Sequence, residues 1–593
     1  MSEKKVTFGR VFWPSLISAL IVSLIGILIW VLIIGSLFNT EPSTMEIADK
    51  TVLHMTLDGS IGERGKSDFD PGSFQMKHTL GLSDILHGIE EAKEDANIKG
   101  IFIEIGNLSC GFATAKQIHD AINDFEESGK FVVAYNGGEV VSHLEYYISA
   151  AAGENYGFPS TNVQFLGLGA ELMFFKGALD NIGVEMQVIR GSNNDFKSAV
   201  EPFFRTDMSD SSRVQIERYM EGLWQDYRDD IAADRGLNAN ELNTLADNAD
   251  IIDVMDAVEH KLMDASMYRD EVIDIVREKA GTASEDELEL LAFSKFAKKR
   301  FYEDQVLVKE DDPNVAVILA EGGISTNGDG MTSEEICELF KEVRANESIQ
   351  TVVFRVNSPG GSALASDEIW REVKLTNEVK KVIVSMGDVA ASGGYYVSAG
   401  ATAIFAEPNT ITGSIGVFGV IPYTGKMLED NLGLTFDRAS TNEHSIMTTN
   451  RKLTEDELAM IQESVDDIYD DFLSRVAEGR GMTKDQVNVI ARGRVWTGRD
   501  AKDIGLVDEL GGLSDAISYA TDLAGITDAK VLYYPNVKED VFGEFLEQLE
   551  DANVEAPVAI EIPSILTEQY QKLKMLESFQ GIQMRLPYEI EVQ

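Results

Sequence analysis

Cysteine is nearly absent from this chain of 593 residues: Cys110 and Cys337 are the only two, and thiols so far apart in sequence make no disulfide framework. Histidine is scarce as well. The seven present include no HExxH and no paired Cys/His spacing, so no metal site is legible, and the usual base for a nucleophilic serine is in short supply. Basic residues are outnumbered, 51 Lys and Arg against 100 Asp and Glu, for a formal charge of −49. Phosphate binding needs clustered Lys and Arg, so this balance excludes nucleic acid as a partner. Beyond that, the acidity describes a solvated surface that resists aggregation. Compositional bias is lacking too: 44% hydrophobic and 25% charged residues are ordinary globular values, and the length exceeds what a single core usually holds.

Charge is also missing locally, from Val11 to Thr40. That apolar run is long enough to cross ~30 Å of hydrocarbon as a helix. Lys4, Lys5 and Arg10 precede it and Glu41 and Glu46 follow, which puts the N-terminus in the cytoplasm and the remainder across the membrane. A cleaved signal peptide is the rival reading. Signal h-regions run to only ~7–15 residues, and no small-x-small cleavage site stands out, which favours a retained anchor.

Beyond the anchor, β-rich runs alternate with amphipathic helical runs, the pattern of a parallel-sheet α/β fold. The pattern occurs twice. GIFIEIGNLSCGFATAKQIHDA (100–121) lies over TVVFRVNSPGGSALASDEIWRE (351–372) without a gap, at an offset of 251 (352 − 101 and 369 − 118). KFVVAYNGGEVVSHLEYYIS, NIGVEMQV and DAVEHKLMDAS then match KVIVSMGDVAASGGYYVS, NLGLTFDR and DAKDIGLVDEL in the same order. The expected organisation is a cytoplasmic tail (1–10), an anchor (11–38), a first repeat (39–294), a charged connector (295–313), a second repeat (314–536) and a helical C-terminal tail (537–593). Each repeat reads as a right-handed βαβ spiral.

Chemistry differs between the copies. In VSMGDVAASGGYYVSAG (384–400), Ser392 follows a strand and opens a helix among small residues, where free N–H groups can stabilise an oxyanion. Gly393 is one candidate donor. The turn Asn-Ser-Pro-Gly-Gly (357–361) offers the other, Gly361, with Gly360 the near alternative. Small residues at a helix start are more often packing residues, and the paired Gly-rich turns are what favour catalysis. A base is harder to find, since His444 sits in the polar run STNEHSIMTTNR. Lysine serves if burial lowers its pKa from ~10.4 toward neutrality. Lys197, in RGSNNDFKSAVEPFFR between Phe196 and the apolar Val200, Phe203 and Phe204, has an apolar setting, but composition alone does not select it.

MGDVAASGGYYVS, NSPGGS, TGSIGVFG (412–419) and FKSAVEPF together resemble the long, tandem-repeat form of the signal peptide peptidase A (protease IV) family, over nearly the whole chain. The resemblance implies two tandem crotonase/Clp protease-like domains after one transmembrane helix. It also implies a serine endopeptidase with a Ser–Lys dyad: Ser392 as nucleophile, Lys197 as general base, Ser414 orienting the lysine, and Gly393 and Gly361 as oxyanion donors, with no metal or cofactor. Lysine and serine then come from different copies, Lys197 falling opposite about Met447 and Ser392 opposite His143. Substrates would be remnant signal peptides and other hydrophobic peptides. The assembly would be a homotetramer held to membrane lipid through residues 11–38, single-pass in the bacterial inner membrane, with its active sites on the extracytoplasmic side. Two rivals remain: a crotonase-like acyl-CoA enzyme, which the anchor and the missing basic cluster for a CoA phosphate disfavour, and a silent peptide-binding scaffold, which the joint presence of Ser392, Lys197 and Ser414 disfavours.

Overall fold

The runs Ile98–Ser109 and Thr351–Ser358 are central strands of two sheets, as apolar, β-branched segments buried on both faces of a parallel sheet favour. The computed structural model describes residues 47–70, 75–282, 288–310, 312–328, 330–536 and 581–585. The elements below all lie in the unit that begins at Lys50. The first sheet is parallel and runs Ala265–Ser266, Glu154–Gly157, Phe131–Asn136, Ile98–Ser109, Thr51–Ser60, Leu290–Ala292. The second, of eight strands, repeats that order along one parallel path, Glu509–Leu510, Ala403–Ala406, Lys381–Ala391, Thr351–Ser358, Val315–Glu321, Val531–Tyr534, and adds Ile411–Gly413 beside the end of Lys381–Ala391, with Val495–Thr497 antiparallel to it. Identical strand order makes the internal duplication a feature of the fold as well as of the sequence.

Matching details recur around the sheets. The hydroxyl of Tyr146 donates to the Leu262 carbonyl at 2.7 Å, and that of Tyr395 to the Leu506 carbonyl at 2.7 Å. The helices Asp210–Arg235 and Glu455–Arg480 are each 26 residues long. Each starts on a hydroxyl cap, Ser209 or Thr454, and stops at a left-handed glycine, Gly236 or Gly481, as side-chain capping and the glycine C-terminus require.

The two halves are locked together by polar contacts. Asp388, in the strand Lys381–Ala391, accepts from the Thr114 amide at 2.8 Å and the Thr114 hydroxyl at 2.7 Å, holding the start of the helix Phe112–Glu127. Arg355, fully buried, donates from Nε to Glu63 at 2.8 Å and from Nη1 to the Ser385 hydroxyl and the Met386 carbonyl. Of the expected connector, 295–313, residues 295–310 lie in the helix Phe293–Glu310, whose Phe293, Phe296, Ala297 and Phe301 are buried. Its Gln305 brackets the strand Val531–Tyr534, donating to the Val531 carbonyl and accepting from the Tyr533 amide. An apolar stripe packs it down despite its many charges.

A third sheet carries the site. Its order is Met331–Thr332, Ile324–Ser325, Gly360–Ser362, Gly581–Arg585, Phe418–Tyr423, Glu185–Arg190, so it takes strands from both halves. Where the sequence suggests a helical tail from 537 onward, the described part of that tail, Gly581–Arg585, is a strand; main-chain pairing on both edges decides its conformation. The expected anchor, 11–38, lies outside the described residues. Among the described residues, no helix is long and apolar enough to cross a membrane.

Candidate active site

Ser392 sits where the strand Lys381–Ala391 breaks into the short helix Gly393–Ser398. Its backbone has φ 56° and ψ −111°, a conformation that costs a non-glycine residue on the order of 1–3 kcal/mol. Surrounding bonds hold it there: its amide donates to the Gly413 carbonyl at 2.8 Å, and its carbonyl accepts from the Tyr396 amide at 2.8 Å. Tyr395 and Tyr396 are buried beneath.

Lys197 arrives from the other half. The strand Glu185–Arg190 pairs antiparallel with Phe418–Tyr423, from Arg190 against Phe418 to Glu185 against Tyr423. The loop that follows it carries Lys197 to the start of a short 3₁₀ turn, Ser198–Val200. Lys197 Nζ lies 2.8 Å from Ser392 Oγ, 2.9 Å from the Ser414 carbonyl and 3.0 Å from Ser414 Oγ. Lys197, Ser392 and Ser414 are each 0% exposed. Burial alone, with only uncharged oxygens in contact, pulls the Lys197 ammonium well below the ordinary lysine range, because a cation removed from water loses its hydration.

The Gly-rich turn lies beside the serine. Gly360 has φ +94°, and a Cβ there would fall 2.7 Å from the Gly393 amide nitrogen, so only glycine fits. A Cβ at Gly361 would strike the Ile324 carbonyl at 2.0 Å. Ser392, Lys197 and Ser414 thus lie within hydrogen-bond distance of one another, and of the two turn glycines it is Gly360, the near alternative, that lies against Gly393, while the Cα of Gly361 faces Ile324. The histidines do not: His444 is exposed. His143, at the position of Ser392 in the first copy, is buried, accepts from the Leu166 amide at 3.3 Å and is held neutral with a pKa lowered to about 4 by burial.

Sequence reasoning missed two supports of the lysine. Gly493, at φ +79°, packs on it so tightly that a Cβ would fall 2.6 Å from the Lys197 amide nitrogen and Cβ. Its carbonyl accepts from Ser414 Oγ at 3.4 Å. Gln215 clamps the lysine loop to the second half, donating to the Phe196 carbonyl and the Ser198 hydroxyl and accepting from the Val495 amide. Arg-Gly-Arg at 492–494 and a mid-helix glutamine carry no sequence signal for such a role.

The family model for peptidase family S49 matches residues 124–283 and 374–527. The chain is 32% identical over 485 residues to the serine protease SPPA, chloroplastic, of Arabidopsis thaliana, covering 80% of this chain and 69% of that protein. It is also 32% identical over 536 residues to Protease 4 of Salmonella typhi, covering 86% and 83%. A ClpP1 mutant from Listeria monocytogenes matches 36% of this chain and 98% of its own at 17% identity and a TM-score of 0.25, too slight a likeness to bear on function. With matched segments in both copies and relatives aligned along most of their length, the chain belongs to peptidase family S49 and is a serine-type peptidase.

Proposed function

We propose that the chain is a membrane-anchored endopeptidase acting through a Ser392–Lys197 dyad on remnant signal peptides and other hydrophobic peptides. The observation that carries this reading is the 2.8 Å contact between Lys197 Nζ and Ser392 Oγ in a fully buried setting. A neutral amine has two N–H groups and one lone pair. Donation to the Ser414 carbonyl and to Ser414 Oγ uses the two hydrogens and aims the lone pair at the Ser392 hydroxyl. Lys197 takes that proton as Ser392 Oγ attacks the scissile carbonyl carbon, then gives it to the leaving amine. Water, deprotonated by the same lysine, releases the acid product from the acyl-enzyme. Gly393 N–H, with Gly361 N–H of the facing turn, stabilises the oxyanion.

The substrate class rests on the names and resemblance above: the Enterococcus faecium relative, 37% identical over 203 residues, is named as a signal peptide peptidase. A homotetramer finds support at two unpaired segments. Glu185–Arg190 pairs with Phe418–Tyr423 inside one chain. Their repeat counterparts, about 168–173 and 435–440, lie in no strand among the described residues and expose Met173 and Phe436. Head-to-tail copies would pair them in the same way.

The dyad fixes the pH dependence. Only the neutral amine accepts a proton, so kcat/KM for an apolar reporter peptide should rise with pH through the lowered pKa of Lys197. It should level off below the pH near ~10.4 at which an ordinary lysine titrates. A rate still climbing at the ordinary lysine pKa would exclude Lys197 as the base.

A further inference from the structure

The duplication gives an internal reference for a cavity in the second half. The helices Phe112–Glu127 and Ala363–Asn377 align at an offset of 251 (370 − 119), and the caps of the two 26-residue helices at 245 (454 − 209 and 481 − 236). These offsets put Trp370 opposite His119, Lys374 opposite Asn123, Arg475 opposite Asp230 and Gly479 opposite Asp234. Shared contacts confirm the register. Arg235 pairs with Asp264 and Arg480 with Asp508, and the buried Tyr147 and Tyr396 donate to Asp230 and Asp367. Between the two helices, the first half pairs Lys116 with Asp230 and the second pairs Asp367 with Arg475, the charges exchanged.

One group has no counterpart. In the first half Asp234 Oδ2 lies 2.6 Å from His119 Nε2, and Asp234 Oδ1 accepts from Asn123 Nδ2 at 3.1 Å. The second half admits no side chain from that position, because a Cβ at Gly479 would fall 1.7 Å from the Ala399 carbonyl oxygen. Instead a cavity of about 260 Å³ lies there, with Trp370, Lys374, Gly400, Arg475, Glu478 and Gly479 in its wall. Its donors lack acceptors. Trp370 is only 4% exposed, yet its indole Nε1 has no hydrogen-bond partner, and Arg475 Nε, also buried, has none, whereas a buried indole N–H usually finds one. The Arg475 guanidinium stacks 3.9 Å over the Trp370 ring, and the Lys374 ammonium lies 5.3 Å from the ring centroid. Lys374 holds Glu478 at 2.5 Å, and an ammonium has two further hydrogens to give.

We propose that this cavity binds a small carboxylate, no larger than a free amino acid, whose oxygens accept from Trp370 Nε1, Arg475 Nε and Lys374 Nζ as those of Asp234 are held by His119 and Asn123. An anionic acceptor beside two cations satisfies the unpaired donors with charge-assisted bonds. Binding there does not depend on the roles of Ser392 and Lys197.

The test uses the full-length chain in detergent, labelled with 5-fluorotryptophan, in which the fluorine signal of Trp370 is identified by its loss in Trp370→Phe. Acetate and leucine, titrated against chloride at constant ionic strength, should each shift that signal saturably, and butylamine should not. Tighter binding of leucine than of acetate assigns the cavity to amino acids, and equal binding assigns it to carboxylates in general. Gly400→Ala, whose methyl would fall 3.1 Å from Trp370 Nε1, should shield that donor and weaken binding about tenfold, the effect of losing one hydrogen bond to a charged group. Lys374→Met, at a partly exposed position, should weaken it by a similar factor and leave the thermal melt near that of wild type, so it decides the matter if Gly400→Ala folds poorly. A Trp370 signal that no carboxylate moves, that butylamine moves as far, or that titrates unchanged in the folded variants overturns the inference.

Discussion

Replacing Lys197 by methionine is expected to lower kcat/KM for an apolar reporter peptide by about 10²–10⁴-fold, the usual contribution of a general base. Ser392→Ala removes the proposed nucleophile and should cost on the order of 10⁶ in kcat, as in other serine peptidases. Neither change should unfold the protein. Methionine fills most of the volume of a lysine stem and brings no charge. Lys197 carries a stability cost that follows from its lowered pKa. Between the lowered pKa of the folded state and the ordinary pKa of the unfolded lysine, the unfolded chain binds a proton on this residue that the folded chain does not, so stability rises with pH across that window. Lys197→Met abolishes that dependence and should raise the denaturation midpoint relative to wild type most at the lower end of the pH range. A Lys197→Met enzyme with near-normal turnover would remove the lysine from the mechanism. An unfolded one would remove it from the test.

Removing Glu63 is expected to be the most damaging single change to stability. Its carboxylate holds Arg355 at 2.8 Å, with both side chains out of solvent. Glu63 follows the strand Thr51–Ser60 of the first half, and Arg355 lies within the strand Thr351–Ser358 of the second, so the pair bridges the halves. Glu63→Ala leaves a buried guanidinium without its counter-charge, and such a loss costs about 3–5 kcal/mol. Because the pair also pays desolvation, the double change Glu63→Leu, Arg355→Met should recover most of that loss. Chemical denaturation of the three proteins measures both effects. Activity should track the folded fraction, since lysine and serine come from opposite halves. A Glu63→Ala midpoint equal to wild type would show that the halves are held together elsewhere.

Much of the fold was legible because the two copies align without gaps where strands are buried. Ile101 on Val352 and Ile118 on Ile369 keep their apolar side chains inside in both halves. The paired 26-residue helices escaped notice because they share caps and length, while their exposed faces differ. Phe293–Glu310 reads as a linker because its charges hide the spacing of Phe293, Ala297 and Phe301. The strand Gly581–Arg585 is set by the two strands it pairs with, which no local propensity reports. Ser392 announces itself through its small neighbours and its strand-to-helix position. Lys197 does not, because what distinguishes it is complete burial against Ser414 and Gly493, a tertiary property. Family resemblance supplied it, and the fold brings it within 2.8 Å of the serine across 195 residues of sequence.

The central claim is that a lysine of the first half activates a serine of the second. Labelling with a serine-directed fluorophosphonate, followed by peptide mapping, tests it most directly. A single adduct is expected, on Ser392, with its near-complete loss in folded Lys197→Met. An adduct on another serine, or equal labelling of Ser392 in the Lys197→Met chain, would contradict it.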